Sequence, residues 1–190
     1  MVFLMRWIID KSFDFCYGHR VWSQSLEKEY SLSQCLMCRH LHGHQGKIKV
    51  SLTSTELKSG MVTDFKHLNW FKEWLDAVLD HKFIIDINDP LNFDLASHYT
   101  KSDGSLDLRL LNLNSEFGYY TPKLEILPEN VPDALIEKYE GFVFVNFLPT
   151  SENLTAWMYK IISKKMQKLG VQVESVEFWE TPKSHCQVKA

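Results

Sequence analysis

The sequence predicts an α+β domain: a four-stranded antiparallel sheet with two helices on one face, plus an inserted segment at about 87–147. Three patterns carry that expectation. Apolar side chains alternate along residues 3–17 and again along 47–53, the two-residue period of half-buried strands. Two later stretches, 64–79 and 150–169, repeat apolar residues at helical spacing. A second pair of strand patterns follows Gly170, so the order is two strands, two helices, two strands.

Taken in order, Phe3, Met5, Trp7 and Ile9, then Phe13 and Phe15, occupy alternate positions of the first strand, with Asp10-Lys11-Ser12 marking a bulge or bend. Residues 22–37 are polar and irregular, a loop or short helix carrying the chain back toward the sheet. In the second strand Ile48, Val50 and Leu52 alternate with Lys47, Lys49, Ser51 and Thr53. Asp64 stands where a carboxylate can cap a helix, and Phe65, Leu68, Phe71, Leu75, Val78 and Leu79 form that helix's apolar stripe. Trp70 and Trp74 read as core or subunit contact, and the helix runs out at Asp80-His81.

A second helix follows Pro149, capped by Thr150 or Ser151, with Leu154, Trp157, Met158, Ile161, Ile162 and Leu169 on one side. Lys164, Lys165 and Lys168 crowd its last turn, where cations complement the helix dipole. Gly170 stops it, Val171, Val173 and Ser175 begin a strand reaching Glu180, and Pro182 turns the chain into a last strand near 186–188. Within the inserted segment, 106–110 reads as a strand, Pro132 starts a short helix, 142–147 is an apolar run and His98 is a surface residue. That segment would be a lid, a subunit contact or decoration.

A length of 190 residues fits one domain on the usual scale of about 100–200 residues. With 21 basic and 24 acidic residues the formal charge is -3, which argues against a nucleic-acid partner held by phosphate neutralisation. Arg6, Asp10 and Lys11 interrupt the early apolar residues, so no signal peptide is expected, and four cysteines read as free thiols in a reducing cytoplasm. No apolar stretch approaches the ~20 residues that cross a bilayer, so no membrane partner is expected. An aromatic content of 13% excludes low complexity.

The chemistry concentrates in Cys38-Arg39-His40-Leu41-His42-Gly43-His44. Histidines at i and i+2 face the same side of an extended strand, so His42 and His44 can grip one cation. Neutral imidazole suits zinc, and a catalytic zinc site commonly takes three protein ligands. His19, at the end of the first alternating run, is the best candidate for the third. Cys35 and Cys38 form a C-x2-C pair of the kind that elsewhere marks structural zinc or a dithiol, but there is only one such pair.

These elements, Cys38-x3-His42-Gly43-His44 preceded by His19-Arg20, resemble the 6-pyruvoyltetrahydropterin synthase and 6-carboxytetrahydropterin synthase family. Gly60-Met61-Val62-Thr63-Asp64-Phe65, Leu79-Asp80-His81, Pro149-Thr150-Ser151-Glu152-Asn153-Leu154 and 176–181 follow in the family's order. The resemblance implies the tunnelling fold, in which subunits join their sheets into a barrel, and a hexamer of two stacked trimers. It implies a Zn2+-dependent lyase acting on a pterin triphosphate, 7,8-dihydroneopterin triphosphate, with His19, His42 and His44 as metal ligands. The first expectation is 6-carboxytetrahydropterin, in queuosine biosynthesis; the alternatives are the 6-pyruvoyl product of biopterin synthesis, or an inactive binding subunit.

By the same resemblance Cys38 takes a proton as general base, and Asp80 with His81, contributed by a neighbouring subunit, forms the second proton carrier. Glu180 offers two acceptors to the guanidine-like edge of the pterin. Glu152 and Thr150, with Ser151, either help hold the ring or serve only as cap and first turn of the second helix, and Arg20 and Lys183 are candidate triphosphate contacts. Gln45-Gly46 after the His-Gly-His element and Phe15-Cys16-Tyr17-Gly18 before His19 depart from the family's usual residues, which bears on pocket shape.

Overall fold

The computed structural model describes residues 5–31 and 35–190; Phe3 and residues 32–34 of the 22–37 connection lie outside them. In chain order the elements are β1 Trp7–His19, β2 His42–Ser54, α1 Asn69–Val78, β3 Lys82–Asp86, α2 Asn92–Leu95 and β4 Leu111–Asn114. They continue with β5 Tyr119–Pro122, α3 Asp133–Glu140, β6 Phe142–Val145, α4 Ser151–Gln167, β7 Gln172–Thr181 and β8 Ser184–Lys189.

Among the described residues the sheet has eight strands, not the four expected, in the order β4-β5-β6-β3-β1-β2-β7-β8. It is also mixed rather than antiparallel. β3 pairs in parallel with both β1 and β6, whereas β2–β7, β7–β8, β4–β5 and β5–β6 are antiparallel. The physical reason lies in 82–145. β6 buries all four of its residues and β3 buries its last three, so neither shows the alternation that announces a strand with one wet face. The strand expected at 106–110 is displaced: Leu108–Leu110 is a 3-10 turn in which the Arg109 amide is met by the Asp107 carboxylate, and β4 starts at Leu111.

The chain divides into two compact units. One comprises Met1–Cys16, His44–Asp80 and Ser151–Ala190. Its core forms because the inward residues of β1, β2 and β7 meet the apolar stripes of α1 and α4. Phe13 meets Phe71 edge-on at 5.3 Å, Phe15 stacks on Phe178 at 6.0 Å, and Trp74 meets Trp157 at 5.4 Å. Ile48, Val50, Leu52, Phe71, Leu75 and Phe178 are fully buried. Asp64 caps as expected, its carboxylate accepting the Lys66 amide at 2.7 Å, but it caps a 3-10 turn at Phe65–Leu68 that leads into α1. Phe65 therefore stays 49% exposed instead of joining the stripe, and Leu169, beyond the end of α4, is 45% exposed. Gly170 takes φ +69°, the left-handed geometry that ends a helix at low cost for glycine.

The other unit comprises Tyr17–Gly43 and His81–Thr150. Ile85, Tyr99, Leu106, Leu111, Tyr139, Phe142 and Phe144 pack at its centre. The Tyr99 hydroxyl donates to the Lys123 carbonyl at 3.0 Å, and burial pushes its pKa up to about 12. His98 is exposed and its Nδ1 meets the Tyr139 hydroxyl at 2.8 Å. Among the described residues, no helix is long and apolar enough to cross a membrane.

Phe71 is fully buried between aromatic neighbours, so Phe71→Ala should cost about 3–5 kcal/mol. A denaturant melt read by tryptophan fluorescence measures that loss.

Candidate metal and catalytic site

β1 ends on His19 and β2 begins on His42, and the two imidazole centroids are 4.6 Å apart. His44 follows two residues later on the same face of β2. One ligand nitrogen from each of His19, His42 and His44 lies within 4.8 Å of the others. Glycine at 43 has a steric reason, because a Cβ there would stand 3.1 Å from the Tyr17 carbonyl oxygen. Gly18 is placed more tightly still: a Cβ added to it would stand only 2.5 Å from the Phe83 ring.

Hydrogen bonding orients two of the rings. His19, 1% exposed, has Nδ1 2.6 Å from the Pro149 carbonyl oxygen, and His42 has Nδ1 2.8 Å from the His40 carbonyl oxygen. A carbonyl only accepts, so Nδ1 carries the proton, and in the neutral ring Nε2 is the nitrogen left with a lone pair for a ligand bond. Metal-ligating histidines commonly donate their other ring N–H in this way, which fixes both tautomer and ring orientation. Three neutral nitrogen donors, two with their tautomer set by backbone oxygen, fit a zinc-type ion. His44 Nε2 lies 3.7 Å from Glu180 Oε1, which places the β7 glutamate beside the third imidazole.

Cys38 sits half-buried in a 3-10 turn, Met37–Arg39, and its sulfur is not part of the three-histidine cluster. Asp80 and His81 lie between α1 and β3, with His81 at φ +59°. The Asp80 carboxylate accepts the Cys16 amide at 2.7 Å, and ligand atoms of Cys16, Asp80 and His81 lie within 4.8 Å of one another. In the sequence Cys16 is a lone cysteine with nothing to single it out. Its position beside Asp80 arises from a contact 64 residues apart.

Glu152 is exposed in the first turn of α4, and Thr150 is half-buried just before it. Arg20 points its Nε at Asp89 Oδ2, 3.2 Å away, in the loop after β3. Burial raises the Asp89 carboxyl above its ordinary range, against the Leu91 amide and Arg20, which both pull it down. Lys183 is exposed in the β7–β8 turn.

The family model for 6-pyruvoyl tetrahydropterin synthase matches residues 8–190. The 6-carboxy-5,6,7,8-tetrahydropterin synthase of Aquifex aeolicus is 30% identical, covering 97% of this chain and 99% of that protein. An uncharacterized protein of Wolinella succinogenes, known from its crystal structure, is 51% identical with a TM-score of 0.90, over 97% of this chain and 98% of that one. The 6-pyruvoyl tetrahydropterin synthase of Caenorhabditis elegans shares the fold at 20% identity, with a TM-score of 0.53 over 100% of this chain and 99% of that one. The chain belongs to the 6-pyruvoyl tetrahydropterin synthase family.

Gly18→Ala drives a methyl group into the Phe83 ring one residue before His19. It should destabilise the protein by about 1–3 kcal/mol, the usual cost of overpacking, as a drop in urea midpoint at unchanged slope.

Proposed function

We propose that the protein is a zinc-dependent 6-carboxytetrahydropterin synthase acting on 7,8-dihydroneopterin triphosphate, a step toward queuosine-type deazapurines. One observation carries this reading: the three imidazoles whose ligand nitrogens converge, two of them oriented by backbone carbonyls. Family membership supports the pterin chemistry, and the full-length Aquifex relative's name supports the carboxy product. The protein works in the cytoplasm as a homo-oligomer, a hexamer by family resemblance, and residues of about 87–147 are an insertion in a single pterin-synthase-like domain.

In this reading His19, His42 and His44 hold the ion, which when bound supplies Lewis-acid stabilisation of negative charge on a substrate oxygen. Cys38 removes the proton from the neighbouring side-chain carbon of the substrate. Asp80 and His81 carry the second proton, and the left-handed backbone at His81 turns the pair out of the line of α1. Glu180 accepts from the amino and ring N–H groups of the pterin, so the ring sits beside His44. Glu152 and Thr150, at the start of α4, help hold the ring.

Substitution separates binding from chemistry. His44→Ala should lose both metal and turnover, whereas Cys38→Ala should keep stoichiometric zinc and lose at least about 100-fold in rate, the scale of a missing general base. Metal analysis beside a turnover assay reads both, and mass spectrometry of the product distinguishes the carboxy from the pyruvoyl compound. Zinc lost from Cys38→Ala, or full zinc with no turnover of the triphosphate by the unsubstituted protein, would defeat the proposal.

A further inference from the structure

The turn carrying Cys38 has little to hold it. None of its three residues is buried, and no side chain caps its start. Hydrogen bonds from the segment after His19 take that role. The Val21 amide donates to the Cys38 carbonyl at 2.7 Å, and the Cys38 amide donates to Gln24 Oε1 at 3.0 Å. Arg39 adds two bonds to the Gln24 carbonyl, from Nε at 2.9 Å and Nη2 at 2.6 Å. Both polar groups of Cys38's own backbone are thus taken by residues 21 and 24.

That segment is itself anchored. Arg20 pairs with Asp89, the two side chains being 14% and 1% exposed, and the Trp22 indole N–H donates to Asp86 Oδ2 at 3.0 Å. Asp86 Oδ1 accepts from the Asn88 amide at 2.9 Å, and Asp89 Oδ1 accepts from the Leu91 amide at 2.8 Å. Asn92 Nδ2 ties the loop together by donating to the Asp86 and Ile87 carbonyls at 2.9 and 3.1 Å. The result is a continuous strap from the loop after β3, through residues 20–24, to Cys38.

We propose that Gln24 is a positioning residue, holding the Cys38 thiol in its working place by accepting the Cys38 amide from a strap anchored on Asp86 and Asp89. This rests on the role of Cys38 proposed above. Gln24 acts through Cys38 and not on the substrate. Among the described residues, of the bonds that reach Cys38 itself, it makes the one that a side-chain substitution removes while leaving the backbone intact.

The test compares the zinc-loaded full chain with Gln24→Ala and with Gln24→Glu, which keeps an acceptor oxygen at the same reach. Turnover, zinc content and the rate of iodoacetamide alkylation at each cysteine are measured, the last by peptide mass spectrometry without substrate. Gln24→Ala should lower kcat about tenfold, the scale of one lost hydrogen bond plus its disorder, with KM and zinc within about twofold. Its Cys38 should alkylate about threefold faster or more as the turn opens, and Gln24→Glu should restore both values. Unchanged kcat and unchanged Cys38 alkylation in Gln24→Ala overturn the proposal; so does faster alkylation at all four cysteines with loss of zinc, which is general loosening. Should the unsubstituted protein fail to turn over the pterin, the functional reading falls. The alkylation arm still decides for Gln24: faster at Cys38 alone, and reversed by Gln24→Glu, supports the positioning, and no difference rejects it.

Discussion

The 2.6 Å bond from His19 Nδ1 to the Pro149 carbonyl joins residues 130 positions apart, and the candidate metal site depends on it. An imidazole has two nitrogens, and a ring free to choose its tautomer offers a ligand only part of the time. A buried carbonyl removes that choice, because it can be satisfied only by an N–H. His42 makes the same kind of bond to an exposed carbonyl two residues before it. Proline at 149 serves a second purpose: it ends the preceding segment just ahead of α4, so its carbonyl stands at a well-defined place.

The other candidate residues obey the same logic, with local chain geometry placing a group and a distant backbone bond setting its orientation. Asp80 lies just past the end of α1, and the Cys16 amide fixes its carboxylate. Cys38 lies in an unburied turn and is held through its backbone by Val21 and Gln24. Hydrogen bonds of this kind contribute about 1 kcal/mol each to stability, so their value here lies in geometry more than in folding energy.

Residues 82–145 change the sheet more than their lengths suggest. β3 and β6 run parallel to each other and to the end of β1, and β5 and β4 extend the sheet beyond them. Asp86 and Asp89 close β3 with a polar loop that receives Trp22 and Arg20, so the end of β3 and the loop after it reach the segment that follows His19. Arg20, a candidate phosphate contact from sequence, thus has a buried carboxylate as its partner.

The elements legible from the residues alone are the long ones, in which part of a period can be read: β1, β2, β7 and both main helices, each ten or more residues long. The shared face of His42 and His44 was legible too, since residues i and i+2 on a strand share a face whatever surrounds them. Other features took form only on folding. Four-residue strands such as Phe142–Val145 are buried on both faces and carry no alternation, so only their partners reveal them. The tautomer of His19, the neighbour of Cys16 and the bond from Gln24 to Cys38 all depend on groups 14 to 130 residues away. Local pattern encodes which face a side chain takes; which atom it meets there is set only when the chain has closed on itself.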